Sequence, residues 1–131
     1  MDDKQKALCE YRLEHAAERL EVAKNCLDSG HYRASINRSY YSAFYAIKSV
    51  LAQGTVDFKR HKDVVAYFNK EYVATDKFDR ELGRKLGTLK QIREKSDYDD
   101  FFIASKSKAA EQIATAEMLL EEIKEYLKEE Q

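Results

Sequence analysis

The chain has 131 residues, a formal net charge of −1, 44% hydrophobic and 36% charged residues, no proline and four glycines. This length suits one domain with a substantial core, so we expect a single domain over residues 1–131. The composition is typical of a helical protein rather than an all-β one, and the near-neutral charge argues against non-specific wrapping of duplex DNA. No run of eighteen apolar residues occurs, and no long apolar run follows the N-terminal charged residues. We therefore expect a cytoplasmic protein with no membrane segment.

Apolar residues recur at helical spacing in five segments of the chain. Acidic residues and glycines mark several of the ends, since Asp2 or Asp3 can cap the first helix and Gly54 can stop the second. The predicted helices run from about Lys4 to Asp28, His31 to about Gln53, Arg60 to about Val73, Asp79 as cap to about Lys95, and Ser105 to about Glu129, with connections at 54–59 and 96–104. These segments predict an all-α, up-and-down bundle of four to five helices.

Two of the four glycines, Gly83 and Gly87, lie one turn apart in the fourth predicted helix. Because neither has a Cβ atom, a neighbouring helix can approach that side closely. The alternative is that both are merely tolerated, at a cost of about 1 kcal/mol each relative to alanine. The sequence leaves these two interpretations open.

The second predicted helix has two faces that need cover. Its apolar stripe contains Ile36, Tyr40, Ala43, Phe44, Ile47, Val50 and Leu51. The adjacent arc is aromatic with polar tips and contains Asn37, Tyr41, Tyr45 and Lys48, with Arg38 at its edge. Either the helix runs through the middle of the bundle, with its tyrosines filling the core, or its second face meets a partner chain or a planar ligand. We predict a homodimer, because exposed patches of this kind usually mark interfaces.

Most familiar catalytic and metal-binding patterns are missing from the sequence. The three histidines form no His-x3-His or Glu-x-x-His pair, the glycines are isolated and no serine elbow occurs, so we expect no metal and no cofactor. His61 is flanked by Lys59, Arg60 and Lys62, which is the pattern of an anion site at a helix start. The alternative for His61 is packing against Val65.

Arg93 falls on the apolar stripe of the fourth predicted helix, between Leu86 and Leu89 on the helical wheel. A guanidinium turned inward requires a partner, and we expect Asp97 or Asp99 to supply it, or the polar tips of the second helix. One interpretation is a structural ion pair. The other is a phosphate contact, which the planar fork of arginine suits.

Three segments in this order resemble the HEPN superfamily, in the branch often found beside minimal nucleotidyltransferases. They are Asn-Arg-Ser-Tyr-Tyr-Ser-Ala-Phe-Tyr-Ala (37–46), Lys-Arg-His-Lys (59–62) and Arg-Glu-Lys-Ser-Asp-Tyr (93–98), and the similarity extends from about Lys6 to Leu127. The resemblance implies an all-α bundle, commonly dimeric, with roles in nucleotide or RNA binding, toxin-antitoxin pairs and defence. It also implies a nucleotidyltransferase partner.

The sequence departs from the ribonucleases of that superfamily at one position. They carry an arginine, then four to six residues, then a histidine. Here Arg93 is separated by four residues from Tyr98, and no histidine lies downstream. Tyrosine ionises near pH 10 and histidine near about 6.5, so tyrosine is a poor general base at neutral pH. The sequence therefore favours a non-catalytic module that binds nucleotide, RNA or a nucleotidyltransferase. The alternatives are a ribonuclease toxin with an atypical Arg-x4-Tyr site and a purely structural interaction bundle. We expect no catalytic residue, and a ligand-binding or interface set of Asn37, Arg38, Tyr41, Tyr45, His61, Arg93, Asp97 and Tyr98.

Overall fold

The computed structural model describes residues 1–54 and 56–130. Within these ranges the chain forms five α-helices, one π-helical segment and no strand, which confirms the all-α prediction. The elements are α1 (Asp3–Asp28), α2 (Tyr32–Leu51), α3 (His61–Phe68), the π-helical segment (Asn69–Val73), α4 (Arg80–Tyr98) and α5 (Lys106–Glu129).

Side-chain caps fix three of the helix starts. Asp2 accepts from the Gln5 backbone while the Gln5 side chain accepts from the Asp2 backbone, so α1 begins with a capping box. At the start of α4 the Asp79 side chain accepts from the Glu81 backbone, and at the start of α5 the Ser105 side chain accepts from the Lys108 backbone. Between α1 and α2 the chain reverses at Gly30, whose φ of 80° lies in the left-handed region that glycine adopts without strain.

α2 is the central helix and packs against α1, α3, α4 and α5. It runs antiparallel to α1, because Ser35 Oγ donates to the Ala23 carbonyl at 2.8 Å and Ser42 Oγ donates to the Ala16 carbonyl at 2.7 Å. These buried serines keep the two backbones close and satisfy their own hydroxyls. α2 thus runs through the middle of the bundle, and its apolar stripe is buried as the sequence predicts.

Two predicted helix ends differ from the structure, and one predicted helix changes its geometry. α4 continues to Tyr98 instead of ending near Lys95, because Ser96 is buried and the Asp99 backbone still donates to the Lys95 carbonyl. α2 ends at Leu51, two residues before the predicted end. The third helix reaches Val73 as predicted but changes to π geometry after Phe68, and the Tyr72 ring in that segment lies 5.6 Å from the Phe68 centroid and 6.5 Å from that of Phe78.

The two glycines of α4 have different surroundings. A Cβ atom built on Gly83 would lie 3.1 Å from Val73 Cγ1 and 3.4 Å from Asn69 Oδ1, whereas one built on Gly87 would meet nothing within 4 Å. Close approach therefore explains Gly83, which lies against the π-helical segment. Gly87 is simply tolerated.

Neither cysteine is cross-linked: Cys9 is buried, Cys26 is half-buried and both are free thiols. Over the described parts of the chain, no helix is both long and apolar enough to cross a membrane.

Candidate functional site

Arg93 extends from α4 over two aromatic rings of α2. Its guanidinium carbon lies 4.7 Å from the Tyr40 ring centroid and 5.8 Å from that of Tyr41, and only 12% of the side chain is exposed. Asp97, one turn along α4, approaches to 3.4 Å and is the partner that the sequence predicts. This ion pair is long, and Arg93 Nε is buried with no hydrogen-bond partner among the described residues. Arg93 therefore retains donor capacity beyond what the protein uses.

Two polar residues of α2 continue this arrangement. Asn37 Nδ2 makes a long contact of 3.5 Å with Asp97 Oδ2, and its amide oxygen accepts from Arg38 Nη1. We call Asn37, Arg38, Tyr41, Arg93 and Asp97 the Arg93 cluster. With two arginines and one carboxylate, the cluster has an excess of positive charge beside an aromatic ring.

A cleft of about 460 Å³ opens between α1 and α2 beside the cluster. It is lined by Glu18, Arg19 and Val22 from α1 and by Arg38, Tyr41 and Tyr45 from α2. The Arg19 guanidinium lies 4.6 Å from the Tyr45 ring centroid, which is cation-π geometry. We call this space the α1–α2 cleft. It shares Arg38 and Tyr41 with the Arg93 cluster, so the two form one surface.

His61, the first residue of α3, also lies against α2. Its ring centroid is 4.3 Å from that of Phe44 and 5.5 Å from that of Tyr41. Burial lowers the pKa of His61 below its ordinary value of 6.5, and the positive charges of Arg93 and Lys48 lower it further. Burial and these two cations therefore both favour the neutral imidazole at pH 7.

The basic residues around His61 in sequence do not converge with it. Lys59, Arg60 and Lys62 are exposed, and Arg60 is paired with Asp63 at 2.8 Å. The positive groups that do approach His61 come from α2 and α4, which are distant in sequence.

Tyr98 lies at the rim of the Arg93 cluster rather than within it. Its side chain is 78% exposed and lines a shallow depression of about 480 Å³ with Arg93, Glu94, Lys95 and Asp99. Phe101 and Ile103, in the connection to α5, are 93% and 81% exposed. This aromatic-acidic segment, 97–103, presents apolar surface next to the candidate site.

The structure brings together most of the predicted set and adds residues that sequence reasoning missed. Tyr40 was assigned to the core alone, yet its ring also supports Arg93, and burial raises its pKa to about 12 although Arg93 opposes the shift. Arg19 was not predicted, because only the packing of α1 on α2 places it over Tyr45. The described residues contain no group of three or more histidine, cysteine or acidic side chains arranged to hold a metal ion.

The molecule is an all-α bundle whose central helix carries buried and half-buried tyrosine rings, with arginines of α1 and α4 placed over them. Comparison with known proteins makes the assignment specific. The HEPN domain profile matches residues 9–126, and the chain belongs to the HEPN family.

Three relatives span nearly the whole chain. A UPF0332 protein of Thermotoga maritima is 30% identical over 129 residues, which cover 98% of this chain and 97% of the relative. A candidate toxin of Methanocaldococcus jannaschii is 30% identical over 127 residues, 97% of this chain and 86% of the relative. A second candidate toxin of that organism is 30% identical over 117 residues, 89% of this chain and 87% of the relative.

Proposed function

We propose that this protein is a toxin-like, non-catalytic HEPN module that binds a phosphate-bearing ligand, RNA or a nucleotide, on the surface formed by the Arg93 cluster and the α1–α2 cleft. The observation that carries the proposal is the state of Arg93. Its guanidinium is held over Tyr40 and Tyr41, its pairing with Asp97 is long, and its buried Nε has no partner. A phosphate oxygen can accept from the exposed edge of this guanidinium, whose ion pair with Asp97 is long, although the buried Nε itself lies out of a ligand's reach.

The surroundings of Arg93 favour a ligand that is aromatic as well as anionic. Arg19 and Arg38 border the α1–α2 cleft, and Tyr41 and Tyr45 are half-buried there. Base stacking on aromatic side chains with phosphate contacts to nearby arginines is the usual way of holding single-stranded nucleic acid. The names of the two Methanocaldococcus relatives support a toxin-like role for the module.

We do not include RNA cleavage in the proposed activity. Tyr98 stands where the ribonucleases of the superfamily carry histidine, and its side chain is turned largely to solvent. A group so placed is poorly suited to take a proton from a ribose hydroxyl next to Arg93.

The proposal is tested by measuring the affinity for a fluorescently labelled single-stranded RNA by anisotropy at several salt concentrations. Arg38→Gln should weaken binding several-fold and reduce the slope of log affinity against log salt by about 0.7, the value for one lost contact to single-stranded phosphate. Arg84→Gln is the matched control, because Arg84 is exposed on α4 and paired with Glu81 at 2.7 Å. Equal losses in both variants, or no binding of either RNA or nucleotides, would contradict the proposal.

The non-catalytic part needs a separate assay. We expect total RNA incubated with the purified protein to remain intact over hours. Cleavage by the unmodified protein that disappears in Arg93→Ala would instead establish the ribonuclease toxin.

We also propose self-association, supported by the exposed segment 97–103 beside a half-buried aromatic face. A nucleotidyltransferase is the partner that the family resemblance suggests, and co-purification with the product of a neighbouring gene would test it. The two free thiols fit a reducing, cytoplasmic setting for such a pair.

A further inference from the structure

Basic side chains from three helices meet around two neighbouring rings of α2. His61 from α3 lies 4.3 Å from the Phe44 ring centroid and 5.5 Å from that of Tyr41. Lys48 Nζ lies 5.9 Å from the Phe44 centroid, and the Arg93 guanidinium carbon lies 5.8 Å from the Tyr41 centroid. Thus His61 shares one ring with Lys48 and the other with Arg93.

The acidic groups near this place already have cationic partners. Asp57 contacts Arg12 at 3.2 Å and Lys48 at 3.7 Å, and Asp97 contacts Arg93 at 3.4 Å. On α3 itself Asp63 is engaged by Arg60. No carboxylate contacts His61 among the described ion pairs and hydrogen bonds, so the imidazole itself has no anionic partner, and the ion pairs of Lys48 and Arg93 beside it are long.

We propose that this place is an anion subsite, in which one phosphate group of the ligand binds between His61 and Arg93, and that its occupancy strengthens as pH falls because His61 takes up a proton on binding. The subsite rests on the proposed function, because it lies on the same α2 surface and shares Tyr41 and Arg93 with the cluster. It adds a contact from α3 that the Arg-x4-Tyr segment does not contain.

The proton balance follows from the groups that face His61. These are Tyr41 and Lys48 from α2, Arg93 from α4, and the Arg60–Asp63 pair of its own helix. In the free protein, burial and the charges of Arg93 and Lys48 disfavour the imidazolium. A bound phosphate oxygen reverses the local charge, so the proton enters from solvent and the imidazolium donates N–H to that oxygen. Ligand binding and protonation of His61 must therefore favour each other equally.

The first test follows the imidazole resonances of the wild-type protein by NMR as pH is varied, with and without sulfate. Sulfate is a suitable probe because its charge is constant between about pH 5 and 8, unlike inorganic phosphate, whose second pKa lies in this range. We expect sulfate to raise the titration midpoint of His61 by about half a unit or more, while His31, which is exposed at the start of α2, serves as internal reference. Equal shifts of both histidines, or none, would overturn the subsite.

The second test uses oligouridylate, whose phosphodiesters and bases do not titrate in this range. Affinity of the wild-type protein should increase by about tenfold from pH 7.5 to 5.5, the effect of one added charge-assisted hydrogen bond. His61→Gln should change by less than about twofold, and Lys62→Gln, which removes a neighbouring exposed charge, should behave as wild type.

The outcomes separate this subsite from the proposed function. Oligouridylate binding that is equally independent of pH in the wild type and in His61→Gln would remove the subsite and leave the binding surface in place. A sulfate-dependent shift confined to His61 without any RNA or nucleotide binding would keep the subsite and remove the proposed ligand class.

Discussion

Replacing Arg93 by methionine removes the guanidinium while keeping most of the side-chain length. The variant loses the cation-π contacts with Tyr40 and Tyr41 and the long ion pair with Asp97. It retains apolar packing along the stripe of α4, so no large cavity forms. The change in stability should therefore report on the charged head group alone.

The magnitude follows from the surroundings of that head group. A largely desolvated cation-π contact contributes about 2 kcal/mol, and a long, partly exposed ion pair adds about 0–1 kcal/mol. Removing a buried charge also removes its desolvation cost, which offsets part of this loss. We expect Arg93→Met to lower the free energy of unfolding by about 1–2 kcal/mol, which for a chain of this size is roughly 4–8 °C in Tm.

Urea titration followed by circular dichroism measures this loss, and an unchanged m value would show that the unfolded states are comparable. Arg84→Met is the control, since Arg84 is 73% exposed and should change stability by no more than about 0.5 kcal/mol. If Arg93→Met is as stable as wild type or more so, the aromatic rings do not compensate for burying the guanidinium. The assignment of Tyr40 and Tyr41 as its supports would then be wrong.

Four further predictions concern other parts of the molecule. Gly87→Ala should stabilise the protein by about 0.5–1 kcal/mol. Gly83→Ala should be at least about 1 kcal/mol less stable than Gly87→Ala, because the added Cβ would press on the π-helical segment. Thermal melts that rank the two variants in the opposite order would contradict this explanation of the two glycines. Tyr98→His restores an Arg-x4-His spacing, and gel assays should show at most weak RNA cleavage that disappears when the arginine is also replaced. Light scattering should give the mass of a dimer, and Phe101→Ser should shift the monomer–dimer equilibrium toward monomer without lowering Tm. A mass near 15.3 kDa for the wild-type protein at high micromolar concentration would argue against the dimer. Folding lowers the pKa of His61, so the unfolded chain protonates this imidazole more readily and stability falls as pH drops below about 6.5. The wild-type protein should therefore lose more stability than His61→Gln as the pH is lowered from there. Equal losses in the two proteins would refute the environment assigned to His61.

The sequence predicted the fold well because periodicity is a local property. The buried leucines of α4 and the apolar stripe of α2 follow from helical spacing alone, and the Asp79 cap follows from residue type. The end of α4 was placed too early because the polar residues 96–98 suggest a connection. Only the burial of Ser96 against the bundle reveals that the helix continues there.

The candidate site could be predicted only where its residues share a helix. The inward direction of Arg93 and its pairing with Asp97 follow from their spacing on α4. The position of Arg19 over Tyr45, and of His61 beside Tyr41, depends on how α1 and α3 pack against α2. A search for a histidine downstream of Arg93 could not have found His61, which approaches from an earlier helix.

Photocrosslinking tests the central claim most directly, because it locates the ligand on the protein. A single-stranded RNA containing 4-thiouridine would be irradiated with the wild-type protein, and the linked peptides identified by mass spectrometry. We expect adducts at Tyr41 or Tyr45 that are lost on competition with unlabelled RNA and that are reduced in Arg38→Gln but not in Arg84→Gln. Competable adducts confined to the acidic surface of α5 around Glu121, Glu125 and Tyr126 would contradict it.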